Sequence, residues 1–233
     1  PKDAKNNDLY QRTLVMVDVD DEHYYILDHF AVDGGTQHDQ SWHGMLTPVQ
    51  SPDLPWSEQG GTLAGENVAQ FSKWTDRWGR ERDDFPAFLT NIRTTALSQP
   101  AAWTWDSGLE EGDALRMHIV PVDGPMQVIV GGGRSPNRTP DWNLDYVIAR
   151  RTVNDGAPSQ FVTVLDGYQG EPVVQSVKLI SSRPMVLEVT HAGGTDTVTI
   201  DMPLEANRFD RPQRTSVRVA SPRGDVRMGE QYT

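Results

Sequence analysis

The sequence of 233 residues contains no cysteine. This absence excludes a disulfide framework, thiolate catalysis, iron–sulfur ligation and zinc sites built from cysteine. No apolar run approaches the roughly 20 residues that a membrane helix needs, so we expect no membrane partner. Basic residues are also few, with 21 Lys and Arg against 33 Asp and Glu, a net charge of −12 that disfavours nucleic acid as a partner.

The start of the chain is polar and lacks the hydrophobic segment of a signal peptide. It begins with Pro1 rather than Met, which is typical of a processed or excised piece. Hydrophobic residues make up 36% of the chain and seven Trp are present, which is too apolar and too aromatic for a disordered protein. We therefore expect a folded chain of one large or two small domains.

Short apolar or alternating segments recur along the chain and have the lengths of β-strands. They cover residues 13–19, 24–32, 114–122, 126–130, 146–152, 161–165, 172–180, 185–190, 197–201 and 216–219. Turn-forming pairs such as Asp123-Gly124 and Asp166-Gly167 separate them, as between antiparallel neighbours. A helical spacing occurs at residues 85, 88, 89 and 92, and an irregular strand explains that window equally well.

The pattern predicts an all-β fold, an antiparallel β-sandwich resembling a supersandwich, with a long surface loop insertion. We expect a flexible N-terminal segment over residues 1–11 and the sandwich over residues 12–205. Residues 206–233 form a predicted basic C-terminal strand and tail. From Arg208 to Arg227 six Arg stand against two Asp, which suits either a solvated edge or docking onto an acidic surface.

Residues 47–84 show no sustained periodicity and are predicted to be a long excursion over the surface. Three tryptophans, Trp56, Trp74 and Trp78, lie in this excursion. The simpler interpretation is that their indoles pin the loop onto the sandwich. The alternative is a platform for carbohydrate, because an indole face suits the apolar face of a pyranose ring.

The densest cluster of reactive side chains contains His38, Asp39 and His43. Two His near an Asp suggest a metal, but Asp39 and His43 on one strand would lie about 13 Å apart. His38 and His43 would point to opposite faces, whereas metal ligands must converge to about 2.1 Å from the ion. We therefore expect no metal here unless other parts of the chain supply ligands, with His38 and Asp39 as the weak candidates.

Asp28 shares its strand face with apolar residues and is predicted to be a structural buried acid. A buried unpaired carboxylate is very costly. We expect it to be paired with His43 or with an Arg of a neighbouring strand.

The motifs of nucleotide-binding and serine-nucleophile enzymes do not occur, since no Gly-x-Ser-x-Gly and no phosphate loop is present. A run of three glycines at residues 131–133 follows an apolar strand and is interpreted as a turn. No catalytic residue is therefore assigned.

Five segments together resemble heparinase II/III-like polysaccharide lyases. They are YYILDHFAVDGG (residues 24–35), HDQSWHG (38–44), LRMHIVP (115–121), ARR (149–151) and SQFVTVLDGY (159–168). The last is the most specific, being similar to that family's S-x-F-V-T-V strand followed by a hydrophobic residue and an acid. Their order along the chain carries the resemblance.

The resemblance implies an enzyme with an N-terminal α/α-toroid and antiparallel β-sheets behind it, exported to the periplasm or the cell exterior. Such enzymes cleave uronate-containing polysaccharides by β-elimination, in which a Tyr or His removes the proton α to the carboxylate. The family's metal-site signatures resemble H-x-H-x-D and H-N-T, and neither occurs here. The resemblance therefore implies the C-terminal β part of a lyase, with catalysis and any divalent metal upstream and no cofactor in this chain.

Three hypotheses follow. In the first, the chain supports an upstream catalytic toroid, has acidic polysaccharide as a partner only through the parent enzyme, and is not catalytic alone. In the second, it is a free-standing carbohydrate-binding module that uses tryptophans of the excursion. In the third, it is an autonomous enzyme that uses His38, Asp39 and His43 and requires a bound metal.

Overall fold

The fold is composed almost entirely of β-strands. A computed structural model describes residues 9–44, 48–106, 110–134, 143–154, 156–204 and 214–232. These residues form 17 strands, and the only helical element among them is one 3-10 turn, Phe85–Phe88. Every strand pairing is antiparallel, so the predicted all-β antiparallel fold is confirmed.

The strands are numbered in chain order. They are β1 (Tyr10–Asp18), β2 (Tyr24–Val32), β3 (Gln37–His43), β4 (Ser57–Gln59), β5 (Lys73–Thr75), β6 (Glu81–Asp83), β7 (Thr90–Leu97), β8 (Ala101–Asp106), β9 (Asp113–Val120), β10 (Met126–Arg134), β11 (Asn143–Thr152), β12 (Ser159–Gln169), β13 (Val174–Ser182), β14 (Met185–His191), β15 (Gly194–Asp201), β16 (Arg214–Ser221) and β17 (Gly224–Tyr232). Fifteen of these strands form three sheets of five, and β5 and β6 form a separate two-stranded ribbon.

The three large sheets stack as layers. The central sheet has the order β1-β2-β12-β9-β8, the second sheet β3-β11-β10-β7-β4 and the third sheet β13-β14-β15-β16-β17. Tyr25 and Leu27 of the central sheet pack in the core shared with the third sheet. Phe30 and Phe161 pack on its opposite face, in the core shared with the second sheet. Both faces of the central sheet are therefore buried, which explains why residues 24–32 are apolar almost without interruption.

The predicted surface excursion covers the outer face of the second sheet. It is described from Pro48 onward, and β4 within it extends the second sheet by pairing with β7. Leu63 and Leu89 pack against Ile129 and Ile148 in a third, smaller core. The excursion is thus attached to the sheet by apolar contacts.

One of the two alternatives for residues 85–92 holds, and one local prediction is wrong. Residues 85–88 form the single 3-10 turn, which contains Pro86, and strand β7 begins at Thr90, so the strand alternative holds for residues 90–92. The predicted turn at residues 131–133 lies within β10, where the glycines allow Leu89 and Ile92 to approach the strand closely. A Cβ on Gly131 would lie 2.6 Å from Ile92 Cδ1, and one on Gly133 would collide with the Leu89 side chain.

The described residues at both chain ends form strands. Strand β1 begins at Tyr10, within the segment predicted to be flexible, and the remainder of that segment up to residue 8 lies outside the described residues. The described part of residues 206–233 contains two strands, β16 and β17, which pair as a hairpin at the edge of the third sheet. Arg218 pairs there with Asp225 at 2.7 Å, so part of the basic charge is neutralised locally.

Candidate functional site

The histidine cluster of β3 is divided between separate partners. His38 points inward, with Nδ1 2.7 Å from Ser159 Oγ and Nε2 2.6 Å from the Gly34 carbonyl oxygen. Because a carbonyl only accepts, Nε2 donates to it, and Nδ1 shares a hydrogen bond with the serine hydroxyl. His38 is therefore a structural histidine with both ring nitrogens occupied.

Asp39 and His43 point to the other face of β3. Asp39 accepts two hydrogen bonds from Arg150 of β11, at 2.8 Å from Nε and 2.7 Å from Nη2. The exposed His43 ring lies 5.2 Å from the Tyr146 ring, measured between centroids. Within the described ranges, no three His, Asp or Glu side chains are grouped so that they could hold a metal ion. The geometry does not bring the residues of the third hypothesis together.

Asp28 is buried and paired with an arginine of the adjacent strand. Its carboxylate accepts hydrogen bonds from Arg12 Nε at 2.9 Å and Nη2 at 2.8 Å, and from Gln40 Nε2 at 3.2 Å. These bonds to Asp28 raise the pKa of the Arg12 guanidinium. Since Gln40 belongs to β3, the carboxylate also joins the central sheet to the second sheet. His43 does not take part in this pairing.

One face of β1 is uncovered. Tyr10, Leu14 and Met16 alternate along this face and are 74%, 59% and 64% exposed. The second sheet ends at β3, and beyond β3 lies an open groove of about 520 Å³ that Tyr10 and Phe30 help to line. We call Tyr10, Leu14 and Met16 the edge strip. Its apolar side chains lie on the outermost strand of the central sheet, whose other strands are largely buried.

The three tryptophans of the excursion have different environments. Trp56 is partly buried against the core between the central and second sheets. Its Nε1 donates to the Pro52 carbonyl oxygen at 3.3 Å, and the Arg93 guanidinium lies 5.2 Å from its ring centroid. Trp56 therefore attaches the excursion to the sandwich. Trp74 and Trp78 are 53% and 64% exposed.

Both exposed indoles lie on the ribbon formed by β5 and β6, residues 73–83, which we call the tryptophan hairpin. Asp76 organises its tip by accepting hydrogen bonds from the backbone N–H groups of Trp78 and Arg80, each at 2.9 Å, and from Arg82 Nε at 3.0 Å. The bond from the Arg80 N–H is the main cause that lowers the pKa of Asp76. Gly79 completes the turn with a positive φ of 77°.

An arginine lies over one of these indoles. The Arg77 guanidinium carbon is 4.1 Å from the centroid of the Trp78 ring. Stacking of this kind uses the flat face of the guanidinium and leaves its N–H groups at the edge available as donors. The hairpin therefore places a cationic side chain next to two exposed indoles, and Arg77 lies over one face of the Trp78 ring.

Sequence reasoning did not identify Asp76 or Arg77 as parts of this site. An Asp two residues before Trp78 and followed by Gly79 is a turn signal, because Asp side chains bond to backbone N–H groups two residues on. That signal identifies the turn. The stacking of Arg77 depends on the closed loop and is not visible in the sequence.

A second group that the sequence analysis missed is buried between the central and third sheets. Asp166 Oδ1 lies 3.5 Å from Arg116 Nε and 4.0 Å from His118 Nε2, and Oδ2 accepts from the Val174 N–H at 3.1 Å. Burial and the positive charge of Arg116 lower the pKa of His118 to about 4. Burial raises the pKa of Asp166. These side chains are enclosed, so we assign them a structural role.

A third polar group also connects these two sheets. The Tyr25 hydroxyl donates to Asp196 Oδ2 at 2.9 Å, and His191 Nε2 lies 3.2 Å from the same oxygen. Burial, together with the Asp196 carboxylate, raises the pKa of Tyr25. All three residues are buried, so this group fastens the sheets together.

No protein-family model matches the sequence, and no curated protein matches it significantly. Among the described residues there is no helix of the length and apolarity needed to cross a membrane. The edge strip and the tryptophan hairpin are two surfaces on which the described chain exposes large apolar side chains.

Proposed function

We propose that this chain is the C-terminal β part of a heparinase II/III-like polysaccharide lyase. In this proposal an upstream α/α-toroid cleaves a uronate-containing polysaccharide by β-elimination, outside the cytoplasm, and the present chain supports that toroid without being catalytic alone. The observation that carries the proposal is the edge strip, an apolar surface left open on the first strand of the central sheet. Surfaces of this kind mark contacts with another protein part.

The positions of the five resembling segments support the same proposal. They fall mainly on β2, β3, β9, β11 and β12. In the fold, β12 lies between β2 and β9, and β3 pairs with β11. Segments far apart in sequence thus form the facing inner layers of one sandwich, as expected if they belong to a single structural unit.

The absence of activity is tested with the chain alone. After incubation with heparin, heparan sulfate, alginate, ulvan or chondroitin, we expect no rise in the ultraviolet absorbance of unsaturated uronate. Each of the candidate side chains His38, Asp39 and His43 already has a local contact. Measurable turnover by the purified chain would overturn the proposal.

The supporting role is tested with the region encoded upstream of Pro1, expressed as a separate polypeptide. We expect the two polypeptides to associate in size-exclusion chromatography and together to release unsaturated uronate. A Leu14→Asp change places an unpaired charge in the edge strip and should weaken association by tenfold or more, at about 1.4 kcal/mol per factor of ten.

The matched control is Ile180→Asp, which changes an exposed apolar residue of the third sheet. It should leave association unchanged. If both variants bind as the wild type does, or if the upstream region is not a helical catalytic domain, the proposal fails.

The exposure of Trp74 and Trp78 favours a second candidate, a free-standing carbohydrate-binding module. Large indoles that contribute little to any core, on a turn ordered by hydrogen bonds, are typical of a ligand-stacking surface. Affinity electrophoresis distinguishes the two candidates, because retardation by a glycan requires the hairpin and does not require an upstream domain. This second candidate fails if no glycan retards the chain.

A further inference from the structure

We propose that the tryptophan hairpin binds an acidic polysaccharide, with Trp74 and Trp78 stacking on sugar rings and Arg77 and Arg80 donating hydrogen bonds to the sugar carboxylates in ion pairs. This inference rests on the second candidate function and adds the charge of the ligand to it. It does not depend on the edge strip, which belongs to a different strand and layer.

The first argument is the position of the indoles. Other apolar side chains of the excursion, including Leu54 and Leu63, pack against the cores of the sandwich. Trp74 and Trp78 instead stay more than half exposed. Because burying such large apolar surfaces would stabilise the fold, their exposure indicates a role other than packing.

The second argument is the ordering of the hairpin tip. In addition to the three hydrogen bonds to the Asp76 carboxylate, the Asp76 N–H donates to the Arg80 carbonyl oxygen at 2.9 Å. The Gly79 N–H donates to the Asp76 carbonyl oxygen, also at 2.9 Å. The tip is therefore held in one conformation before any ligand arrives. Such ordering reduces the entropy lost on binding.

The third argument is the charge of the hairpin. It carries four basic residues, Lys73, Arg77, Arg80 and Arg82, and three acidic ones, Asp76, Glu81 and Asp83, in a protein whose net charge is −12. Arg82 pairs with Asp76, and Lys73 lies 3.5 Å from Glu81. Neither Arg77 nor Arg80 has an ion-pair partner among the residues that the structure describes. Two arginines beside exposed indoles thus remain available for an anion.

The arrangement suits a carboxylated sugar. The Arg77 guanidinium carbon lies over the Trp78 ring, 4.1 Å from its centroid, so a sugar carboxylate bound at this indole would lie near a positive charge. A single-stranded nucleic acid also stacks on aromatic rings, and the oligonucleotide probe below tests that alternative. Glu81 and Asp83 of the hairpin and the adjacent Asp84 oppose any polyanion, so we expect charge pairing at Arg77 and Arg80 alone.

The test measures binding of the whole chain by affinity electrophoresis and titration calorimetry. The probes are polygalacturonate, a neutral dextran and a single-stranded oligonucleotide. We expect binding to polygalacturonate that weakens as salt rises, and little binding to dextran or the oligonucleotide. Trp74→Ala and Trp78→Ala should each weaken binding about tenfold or more, as expected for an aromatic contact that carries much of the affinity.

The charge is tested separately. Arg77→Gln should weaken binding to polygalacturonate and reduce its salt dependence, whereas Arg77→Lys should retain part of the affinity because it keeps the charge and loses the planar fork. The matched controls are Tyr24→Ala, an exposed aromatic residue outside the hairpin, and Arg223→Gln, an exposed arginine of the third sheet. Both controls should bind as the wild type does.

The outcomes separate the inference from the function on which it rests. Equal binding to dextran and polygalacturonate, lost in Trp78→Ala, would overturn the acidic specificity and leave a carbohydrate-binding module. Binding to neither glycan would overturn both. Tighter binding to the oligonucleotide, or glycan binding that the tryptophan variants do not change, would overturn the inference as well. Circular dichroism and thermal unfolding of each variant establish that it is folded.

Discussion

The buried His118 makes the stability of the fold depend on pH. Its pKa is lowered from 6.5 to about 4, first by burial and then by Arg116. In the unfolded chain the imidazole takes up a proton at its ordinary pKa, so protonation favours unfolding. The stabilisation is fully present above about pH 6.5 and is lost as the pH falls toward about 4. Its total size is about 3 kcal/mol.

Between about pH 7 and about pH 4.5, this single histidine should lower the unfolding free energy by roughly 2 kcal/mol. The neighbouring Asp166 acts in the opposite direction, because its raised pKa means that the folded state takes up that proton more readily. The net change in the wild type is therefore smaller than the contribution of His118. A comparison of variants isolates that contribution.

The assay is urea unfolding followed by tryptophan fluorescence at both pH values, for the wild type and for His118→Gln. Glutamine keeps a polar group of similar size but does not titrate, so the loss of stability at the lower pH should shrink by roughly 2 kcal/mol. His43→Gln, which removes an exposed histidine, is the control. If the pH dependence of His118→Gln parallels that of the wild type, the buried-histidine argument is refuted.

Three further variants test the packing and pairing described above. Gly131→Ala should lower the unfolding free energy by about 1–3 kcal/mol through overpacking. Gly132→Ala should change it little, because the nearest atom to the added Cβ is an oxygen 3.7 Å away. Equal effects of the two variants in denaturant unfolding would contradict this. Arg12→Leu should lower the unfolding free energy by about 2 kcal/mol, because the buried Asp28 carboxylate loses its main hydrogen-bonding partner. An unchanged midpoint in urea unfolding would argue against that pairing. Asp76→Asn should weaken polygalacturonate binding with little change in thermal unfolding, because it loosens only the hairpin tip. If this variant binds polygalacturonate as tightly as the wild type, binding does not require the tip to be ordered by Asp76.

The sequence best predicts the strands that are buried on both faces, because nearly every side chain in them must be apolar. Residues 24–32 are predicted as a strand because both faces of β2 are buried and the segment is almost entirely apolar. Residues 161–165 of β12 are predicted for the same reason. Strand β3 is polar and was not predicted as a sheet strand from its pattern, because it lies at an edge and buries only His38 and Gln40. Strand β8 is not predicted from its pattern, although Trp103 and Trp105 alternate on its buried face.

The sequence predicts that tryptophans belong to the candidate site, but it does not predict their arrangement. It places Trp74 and Trp78 in one excursion. Which indoles attach the loop and which face solvent depends on contacts between residues that are far apart in the sequence. Trp56 lies near Arg93 and the core, and this contact could not be read from spacing. The metal alternative at His38 was disfavoured by strand geometry, and Ser159, the hydrogen-bonding partner of that histidine, lies 121 residues away.

The two candidate surfaces are physically separable. The edge strip lies on the central sheet, where the Asp28 carboxylate links β1, β2 and β3 through Arg12 and Gln40. The tryptophan hairpin lies in the excursion beyond the second sheet and is ordered by its own Asp76. Because the ordering groups are different, a variant of one surface should leave the other intact. Leu14→Asp should therefore retain glycan binding, and Trp78→Ala should retain association with the upstream region. If either variant lost both glycan binding and this association, the two surfaces would act as one site.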